Sequence, residues 1–338
     1  MKNSINIKTV AQKADVSVGS VSNYLHGKAV KTATRERIAA AVRELGFIPN
    51  PNAQAIHAQR SRTIVIFIVQ SIRSSALWLE TYLLAIIETA GNAGLRCIIE
   101  YVDDNHAYPV EKLFRRADGV VLIGHFSAEF FREFSAVPDL PVISDWDAPE
   151  YPAATVIPYD FRMTLREAIT VLRRAGHEKI GFISDNAGVG AEKINDWLRV
   201  SGEMIPGAQC AWIETIDHFS ECRQGFIATQ KLLARCPELT AIIFSADIVA
   251  MAGLSALAAV GKKIPADISV VTLDNSFWAH AMFPAVTAVG PDYPALARQI
   301  IAIINHRCGQ TATPSSAEPR PTPFSYFPGA TVRDLRNS

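Results

Sequence analysis

The 338-residue chain has no apolar run approaching 18 residues, and its first ten residues are polar, with no apolar stretch after Lys2. Neither a signal peptide nor a membrane anchor is expected, so the sequence reads as cytoplasmic. Cysteine is scarce: Cys97, Cys210, Cys222, Cys236 and Cys308 are odd in number, scattered and never in C-x-x-C spacing. They imply neither a disulfide framework nor a zinc site. Catalytic signatures are missing too. No G-x-S-x-G, H-E-x-x-H or G-x-x-x-x-G-K-[ST] occurs, and Gly188-Val189-Gly190 lacks the third glycine of a dinucleotide loop. An enzyme is therefore not expected, and no cofactor or metal is implied. Net charge is absent as well, because 33 basic residues cancel 33 acidic ones.

The cancellation hides an uneven distribution. Residues 1–62 hold ten basic side chains against three acidic ones, Asp15, Glu36 and Glu44, for a net +7, which leaves −7 on the remaining 276 residues. A basic head on an acidic body points to an anionic partner for the head, nucleic acid or membrane surface, although a solvated face would show the same charge. With 49% hydrophobic and 20% charged residues, the whole has globular composition and material for more than one core.

Within the head, apolar residues recur at helical spacing: Val10 with Ala14, Val21 with Leu25, and Ile38 with Val42 and Leu45. Asp15-Val16 ends the first helix, Ser17 is placed to cap the second, Thr32 or a neighbour to cap the third, and Gly46 to close it. Two helices joined by a short turn and followed by a third form a helix-turn-helix, though a plain three-helix bundle would share the pattern. Next, Asn50 followed by Pro51 is an N-cap and N1 pair, so a short helix is expected there. Alone it is too short to be stable.

Beyond Thr63 the chain alternates uniformly apolar runs with helical segments. Strands are expected at 64–69, 97–101, 120–123, 141–144, 179–184, 211–216, 241–245 and 269–273, and helices at 77–93, 164–175, 224–235 and 248–260. Strands apolar on both faces belong to parallel sheets covered by helices. Around 270 residues exceed one such core, so two doubly wound subdomains are expected. Ligands of these folds bind beyond the carboxyl ends of the strands.

The run from Ile7 to Ser22, with Thr34-Arg35-Glu36-Arg37-Ile38 and Leu45-Gly46-Phe47-Ile48-Pro49-Asn50, resembles the signature of the LacI/GalR family of transcriptional regulators. The likeness continues in Ala175-Gly176-His177-Glu178-Lys179-Ile180, Ser245-Ala246-Asp247 and the stretch from Ile264 to Asp274. It implies an all-α helix-turn-helix headpiece at 1–49, a hinge helix and linker at 50–62, and a periplasmic-binding-protein-like effector core at 63–338. That core would comprise an N-subdomain of about 63–158 and 291–320 and a C-subdomain of about 159–290 and 321–338. Crossings between the two are implied near 158–160, near 290–292 and within 314–323.

The resemblance also implies the sites. A recognition helix at Val18–Leu25 would read bases through Val18, Gly19 and Asn23, with Ser20 and Ser22 near phosphate. Val18 suits a thymine methyl and Asn23 suits adenine N6 and N7, whereas Gly19 offers no side chain. In the hinge, Ile56 holds the minor-groove wedge position, usually leucine, with Ala53 and Gln54 toward the groove floor and His57 beside phosphate. In the core, Asp274 matches an acidic residue that accepts from ligand hydroxyls or amines, and by its own position also suits a strand-end cap. Lys193 stands in a turn at 191–197 where an arginine is usual, and lacks the planar fork of that residue. Phe219 matches a stacking aromatic, and Trp78 an aromatic wall that is altered here by Ser74-Ser75-Ala76. Ala246 replaces a common asparagine. The partners implied are double-stranded operator DNA, a small polar effector such as a sugar or sugar derivative, and a second copy of the chain. Release by the effector and a requirement for it are equally compatible with these residues. The tail to Ser338 shows no apolar heptads that would add a tetramerisation helix.

Overall fold

The computed structural model describes residues 6–25, 29–47, 61–70, 77–103, 105–110, 113, 117–185, 189–205, 209–213, 221–309 and 318–337. The chain forms two compact units, one of residues 1–62 with 115–117 and one of the rest.

In the first unit, helices α1 (Ile7–Lys13), α2 (Val18–Leu25) and α3 (Thr32–Leu45) close on Val10, Ala11, Ala14, Val21, Ile38 and Ala41, all buried. Asn6 and Thr9 form a capping box at the start of α1, a signal the sequence carried and the periodicity overlooked. Ser17 caps α2 as expected, its Oγ accepting from Ser20 N at 3.1 Å. Thr32 does not cap α3. Lys31 takes that position without a side-chain bond, while Gly46 closes the helix at φ +59°, the left-handed conformation its lack of a Cβ permits. Lys13 on α1 pairs with Glu44 on α3 at 2.9 Å across the bundle.

The second unit holds two sheets. The first, in the order β2-β1-β3-β4-β5, is wholly parallel and consists of β1 (Thr63–Val69), β2 (Arg96–Val102), β3 (Gly119–Ile123), β4 (Val142–Ser144) and β5 (Thr155–Val156). Every residue of β1 is buried because both its faces are covered. Helices α4 (Leu77–Asn92) and α10 (Tyr293–Arg307) pack on one face over Ile64, Ile66 and Ile68. On the other face the expected helical cover is partly replaced by an aromatic cluster. There Phe67 meets Tyr108 at 4.6 Å and Phe130 at 5.4 Å, with Phe126, Phe131 and Phe134 behind them in turns and a 3-10 segment. Among the described residues, interlocked rings fill that layer.

The second sheet, in the order β11-β10-β9-β8-β6-β7, contains β6 (Ile180–Asp185), β7 (Gln209–Ile213), β8 (Ala241–Phe244), β9 (Ser269–Thr272), β10 (Thr287–Pro291) and β11 (Phe324–Phe327), with only β11 antiparallel. Helices α5 (Phe161–Arg174) and α6 (Val189–Met204) cover one face. Helices α7 (Glu221–Arg235), α8 (Asp247–Ala259) and α9 (Phe277–Ala281) cover the other. The strand expected at 211–216 begins two residues earlier, and residues 214–220 lie outside the described ones. Three passages of chain join the two sheets side by side, since Thr322 N donates to Pro158 O and Asp292 N to Pro323 O, both at 2.8 Å.

His177, 1% exposed, ties the second sheet together: Nε2 donates to the Arg333 carbonyl and Nδ1 lies beside the Thr240 hydroxyl, each at 3.0 Å. Burial lowers its pKa from the ordinary value of 6.5. A proton therefore binds the unfolded chain first, and the stabilisation from the neutral ring is complete above about pH 6.5 and fades as pH falls through that value. We expect wild type to lose more thermal stability between pH 7.5 and 5.5 than His177→Gln. Melting curves of the two across that range give the comparison, and parallel slopes would remove His177 as the source.

Candidate functional site

On α2, Val21 turns into the core while Val18, Gly19 and Asn23 are exposed and Ser22 is half-exposed. Spacings of i, i+4 put 18 with 22 and 19 with 23, so these four residues share one stripe along the second helix of the helix-turn-helix. Ser20 lies off that stripe, its hydroxyl engaged with Ser17 Oγ at 2.9 Å. Val18, Gly19 and Asn23 thus stand together, as expected, with an apolar methyl pair and an amide facing outward. A methyl added at Gly19 would meet only Ser17 Oγ, at an ordinary 3.7 Å. Packing does not require the glycine there, and Gly19→Ala is expected to stabilise the headpiece by up to about 1 kcal/mol. Hydrogen exchange of the α1–α3 amides in the whole chain would register it as slower opening. Of the hinge residues, Ala53, Gln54, Ile56 and His57 lie outside the described ones, as does the Asn50-Pro51 pair.

The second site gathers at the carboxyl ends of the strands in the larger unit. Asp274 follows β9, and its Oδ2 accepts from Asp247 N at 3.0 Å, at the start of α8. It therefore performs the strand-end capping role while remaining only half-buried. A close approach fixes it: a Cβ on Gly290 would lie 2.6 Å from the Asp274 carbonyl carbon, so the crossing chain lies directly against this turn. Tyr293, at the start of α10, donates from its hydroxyl to the Asp274 carbonyl at 3.0 Å. Phe277 N donates to Thr81 Oγ1 on α4 at 2.9 Å. Both bonds join elements packed on the first sheet to elements packed on the second.

Behind Asp274 sits Asp247, 2% exposed, which accepts from Thr272 Oγ1 at 2.7 Å, from Ser276 N at 3.0 Å and from Ser276 Oγ. Burial raises its pKa and those bonds oppose the rise. Asn275, in the left-handed region at φ +54°, links this turn to the crossing chain by donating to Ser325 Oγ at 2.7 Å. Its Oδ1 meets His280 Nε2 at 2.8 Å, and the imidazole stacks on Phe327 at 3.8 Å.

From the first sheet comes a carboxyl that the sequence reading missed. Asp145 directly follows β4, accepts from Gly124 N at 3.3 Å, and is pushed up to about 7 by burial, with that backbone bond acting against the shift. Its charge is felt by the Tyr82 hydroxyl, which is buried without a hydrogen-bond partner among the described residues. The signal for Asp145 was available, since it stands after a strand as Asp274 does. Trp78 is half-buried, 6.2 Å from the Tyr82 ring and packed on the α4 core, beside this carboxyl's neighbour rather than apart from it.

Lys193 departs from expectation. The segment 191–197 is not a turn but part of α6, because Ile194, Trp197 and Val200 recur at helical spacing and pack into the core, Trp197 stacking on Phe182 at 4.9 Å. Lys193 Nζ donates to Ser245 O at 3.3 Å and stands 5.5 Å from the Phe161 ring centroid. The ammonium therefore binds the end of β8. Ala246 opens α8 without a side-chain cap, and Phe219 lies outside the described residues. The arrangement offers carboxyls, phenols and amides for hydrogen bonding. Among the described residues no helix is long and apolar enough to cross a membrane.

The chain was compared with known proteins. A family model described as bacterial regulatory proteins, lacI family, matches residues 6–50, and one described as a periplasmic binding protein-like domain matches residues 169–332. The transcriptional regulator CelR of Thermobifida fusca is 24% identical over 91% of this chain and 93% of its own length. The repressors PurR of Photobacterium profundum and CytR of Escherichia coli K12 are each 28% identical, covering 89% and 90% of this chain and 91% and 90% of their own. Among solved structures, the lac repressor dimer bound to operator and the anti-inducer ONPF superposes with a TM-score of 0.72 at 21% identity. The CelR–cellobiose complex does so at 0.60 and 20%, and each alignment covers 97% of this chain and 99% of the other. The basic helix-turn-helix head and the two-sheet core are thus each matched by their own domain family: the chain carries a lacI-family regulatory domain followed by a periplasmic binding protein-like domain, and relatives similar over nearly its whole length are transcriptional regulators and repressors.

Proposed function

We propose that the protein is a homodimeric repressor of a catabolic or transport operon, binding a pseudo-palindromic operator and switched by a small polar metabolite, a sugar or sugar derivative. The observation that carries the reading is the exposed stripe of Val18, Gly19, Ser22 and Asn23 on the second helix of a head that carries net +7. Residues 1–49 act as the DNA-reading head, 50–62 as hinge, and 63–338 as effector core. In the major groove, Val18 meets a thymine methyl and Asn23 pairs with adenine, with Gly19 alongside and Ser20 and Ser22 toward phosphate. In the minor groove, Ile56 wedges a base step while Ala53 and Gln54 line the floor and His57 meets phosphate.

The effector sits where the strand ends of the two sheets face each other, with Asp274 accepting its hydroxyls or amines, Trp78 and Phe219 as aromatic walls, and Lys193 behind. CelR with cellobiose and the lac repressor with ONPF support a sugar-like ligand. A ligand there would bear on the bonds of Tyr293 to Asp274 and Phe277 to Thr81, which span the two lobes. Their rearrangement would alter the spacing of the paired hinges. Coupling is reciprocal: whatever factor the effector applies to operator affinity, the operator applies to effector affinity.

The test uses fluorescence anisotropy of full-length protein on duplexes from its own promoter region, at moderate salt, with and without a panel of sugars. Sequence-preferring binding that one sugar alters supports the reading. Equal binding to scrambled duplexes under all conditions overturns it.

A further inference from the structure

Phenols and carboxyls run in a row between the strand ends of the two sheets. Tyr82 on α4 and Tyr293 on α10 have ring centroids 5.6 Å apart, and Trp78 stands 6.2 Å from Tyr82. Burial raises the pKa of these phenols and of Tyr159, and nearby carboxylates raise it further. Asp145 acts on Tyr82, Asp274 and Asp247 on Tyr293, and Asp274 and Asp160 on Tyr159. Among the described residues no cation opposes these shifts, so the potential along the row is negative.

Within that row Asp145 differs from the other carboxyls. Its Oδ1 accepts from Gly124 N at 3.3 Å, and among the described residues no basic side chain pairs with it. His125, next to Gly124 in the chain, faces Glu150 at 3.9 Å instead. The Tyr82 hydroxyl, near enough to feel the Asp145 charge, is buried on a residue 1% exposed and has no hydrogen-bond partner among the described residues. Burial pushes Asp145 up to about 7, while hydrogen bonds from backbone N–H groups act to lower it. The carboxylate therefore has its hydrogen-bond donors but no counter-charge among the described side chains, and desolvation alone opposes its ionisation. An anion bound beside it would be repelled by Asp145 from one lobe and Asp274 from the other.

We propose that the effector carries a protonated amine beside its hydroxyls, as an amino sugar does, with the ammonium seated on Asp145 beside Tyr82 and Trp78 and the hydroxyls on Asp274. The inference rests on the effector reading above and names the chemical class of the ligand. An ammonium holds Asp145 in its charged form, in a charge-assisted bond roughly twice as strong as a neutral one. Aromatic rings beside a carboxylate favour a cation over a hydroxyl. Binding also moves a proton: the ligand's charge lowers the Asp145 pKa, and the proton that the carboxyl held near neutrality leaves for solvent. A neutral sugar has no such effect on Asp145, and an anion draws a proton onto it.

Isothermal titration calorimetry of the full-length protein tests this, with glucosamine, galactosamine and mannosamine, their neutral parents glucose, galactose and mannose, and gluconate as an anion. At about pH 6.5 the amines are protonated, and so is most of Asp145. At least one amine should bind at least tenfold more tightly than its parent. It should release roughly half a proton or more per ligand, read from the heats in two buffers of different ionisation enthalpy. Asp145→Asn keeps an acceptor for Gly124 N. It should bring that amine within about twofold of its parent and end the proton release, with circular dichroism confirming the fold. If no amine binds more tightly than its parent, or if binding takes up a proton, the amine is wrong, even where a neutral sugar alters operator binding and so upholds the regulator reading. A preference for the amine that survives Asp145→Asn removes the seat on Asp145. Equal binding to operator and scrambled duplexes with every ligand instead overturns the regulator reading beneath it.

Discussion

Asn23→Ala is expected to weaken operator binding by at least 30-fold while leaving binding to scrambled duplex unchanged. A bidentate amide contact to adenine contributes about 1–3 kcal/mol of discrimination. A two-fold operator presents that contact twice, so the dimer loses roughly 2–6 kcal/mol, and 1.4 kcal/mol is a factor of ten. Asn23 is uncharged and exposed on α2, away from the buried Val21. Its truncation therefore releases no counterion, and the slope of log affinity against log salt should match wild type. Stability should move by less than about 0.5 kcal/mol, as for other surface substitutions. Anisotropy titrations on operator and scrambled duplex at three salt concentrations separate the outcomes. Equal losses on both duplexes, or a shallower salt slope, would make Asn23 a backbone contact rather than a base reader.

Asp274→Asn is expected to cut effector affinity by roughly 10- to 150-fold, the 1.5–3 kcal/mol of a hydrogen bond to a charged acceptor, with operator affinity unchanged in the absence of effector. The choice of asparagine follows from the geometry. Asp274 accepts from Asp247 N at the start of α8, and an amide oxygen preserves that bond. Alanine would remove it along with the effector contact, costing the helix about 1 kcal/mol as a lost cap. Calorimetric titration of wild type and Asp274→Asn, using the sugar that alters operator binding, measures the effect. An asparagine variant with wild-type affinity would reduce Asp274 to the structural cap that its bond to Asp247 already makes it.

Much of the head was legible because its signals are local. Ser17 caps, Gly46 terminates and Val18–Leu25 alternates faces through chemistry contained within a few residues. The uniformly apolar β1 was equally plain, since a strand covered on both faces has no polar side to obscure it. What escaped depended on distant partners. Lys193 looked like part of a ligand-binding turn, and only the packing of Trp197 against Phe182 makes its segment a helix. The α10 helix was passed over although its buried Tyr293, Leu296, Ala297, Ile300, Ile301 and Ile304 recur at helical spacing, with Arg298 and Arg307 on the other side. β11 sits just after a proline-rich stretch and exists because β10 pairs with it antiparallel, Ala288 opposite Phe327. Asp145 stands after a strand and Asp247 within the Ser245-Ala246-Asp247 stretch, but neither position announces its surroundings. Their burial, and with it their raised pKa values, arises from sheets and turns brought together across the chain. The split of charge at residue 62 remains the single most informative sequence feature, because it coincides with the boundary between the two compact units.

The central claim is that a pair of these chains reads a two-fold symmetric DNA site through α2 and the hinge. The direct measurement is selection from a random-sequence duplex pool by full-length protein at fixed moderate salt, followed by sequencing of the bound fraction. The account predicts a single enriched consensus of two inverted half-sites, each containing an adenine that loses its enrichment when Asn23→Ala replaces wild type. Enrichment of nothing, or of a single unrepeated motif indifferent to Asn23→Ala, would contradict it.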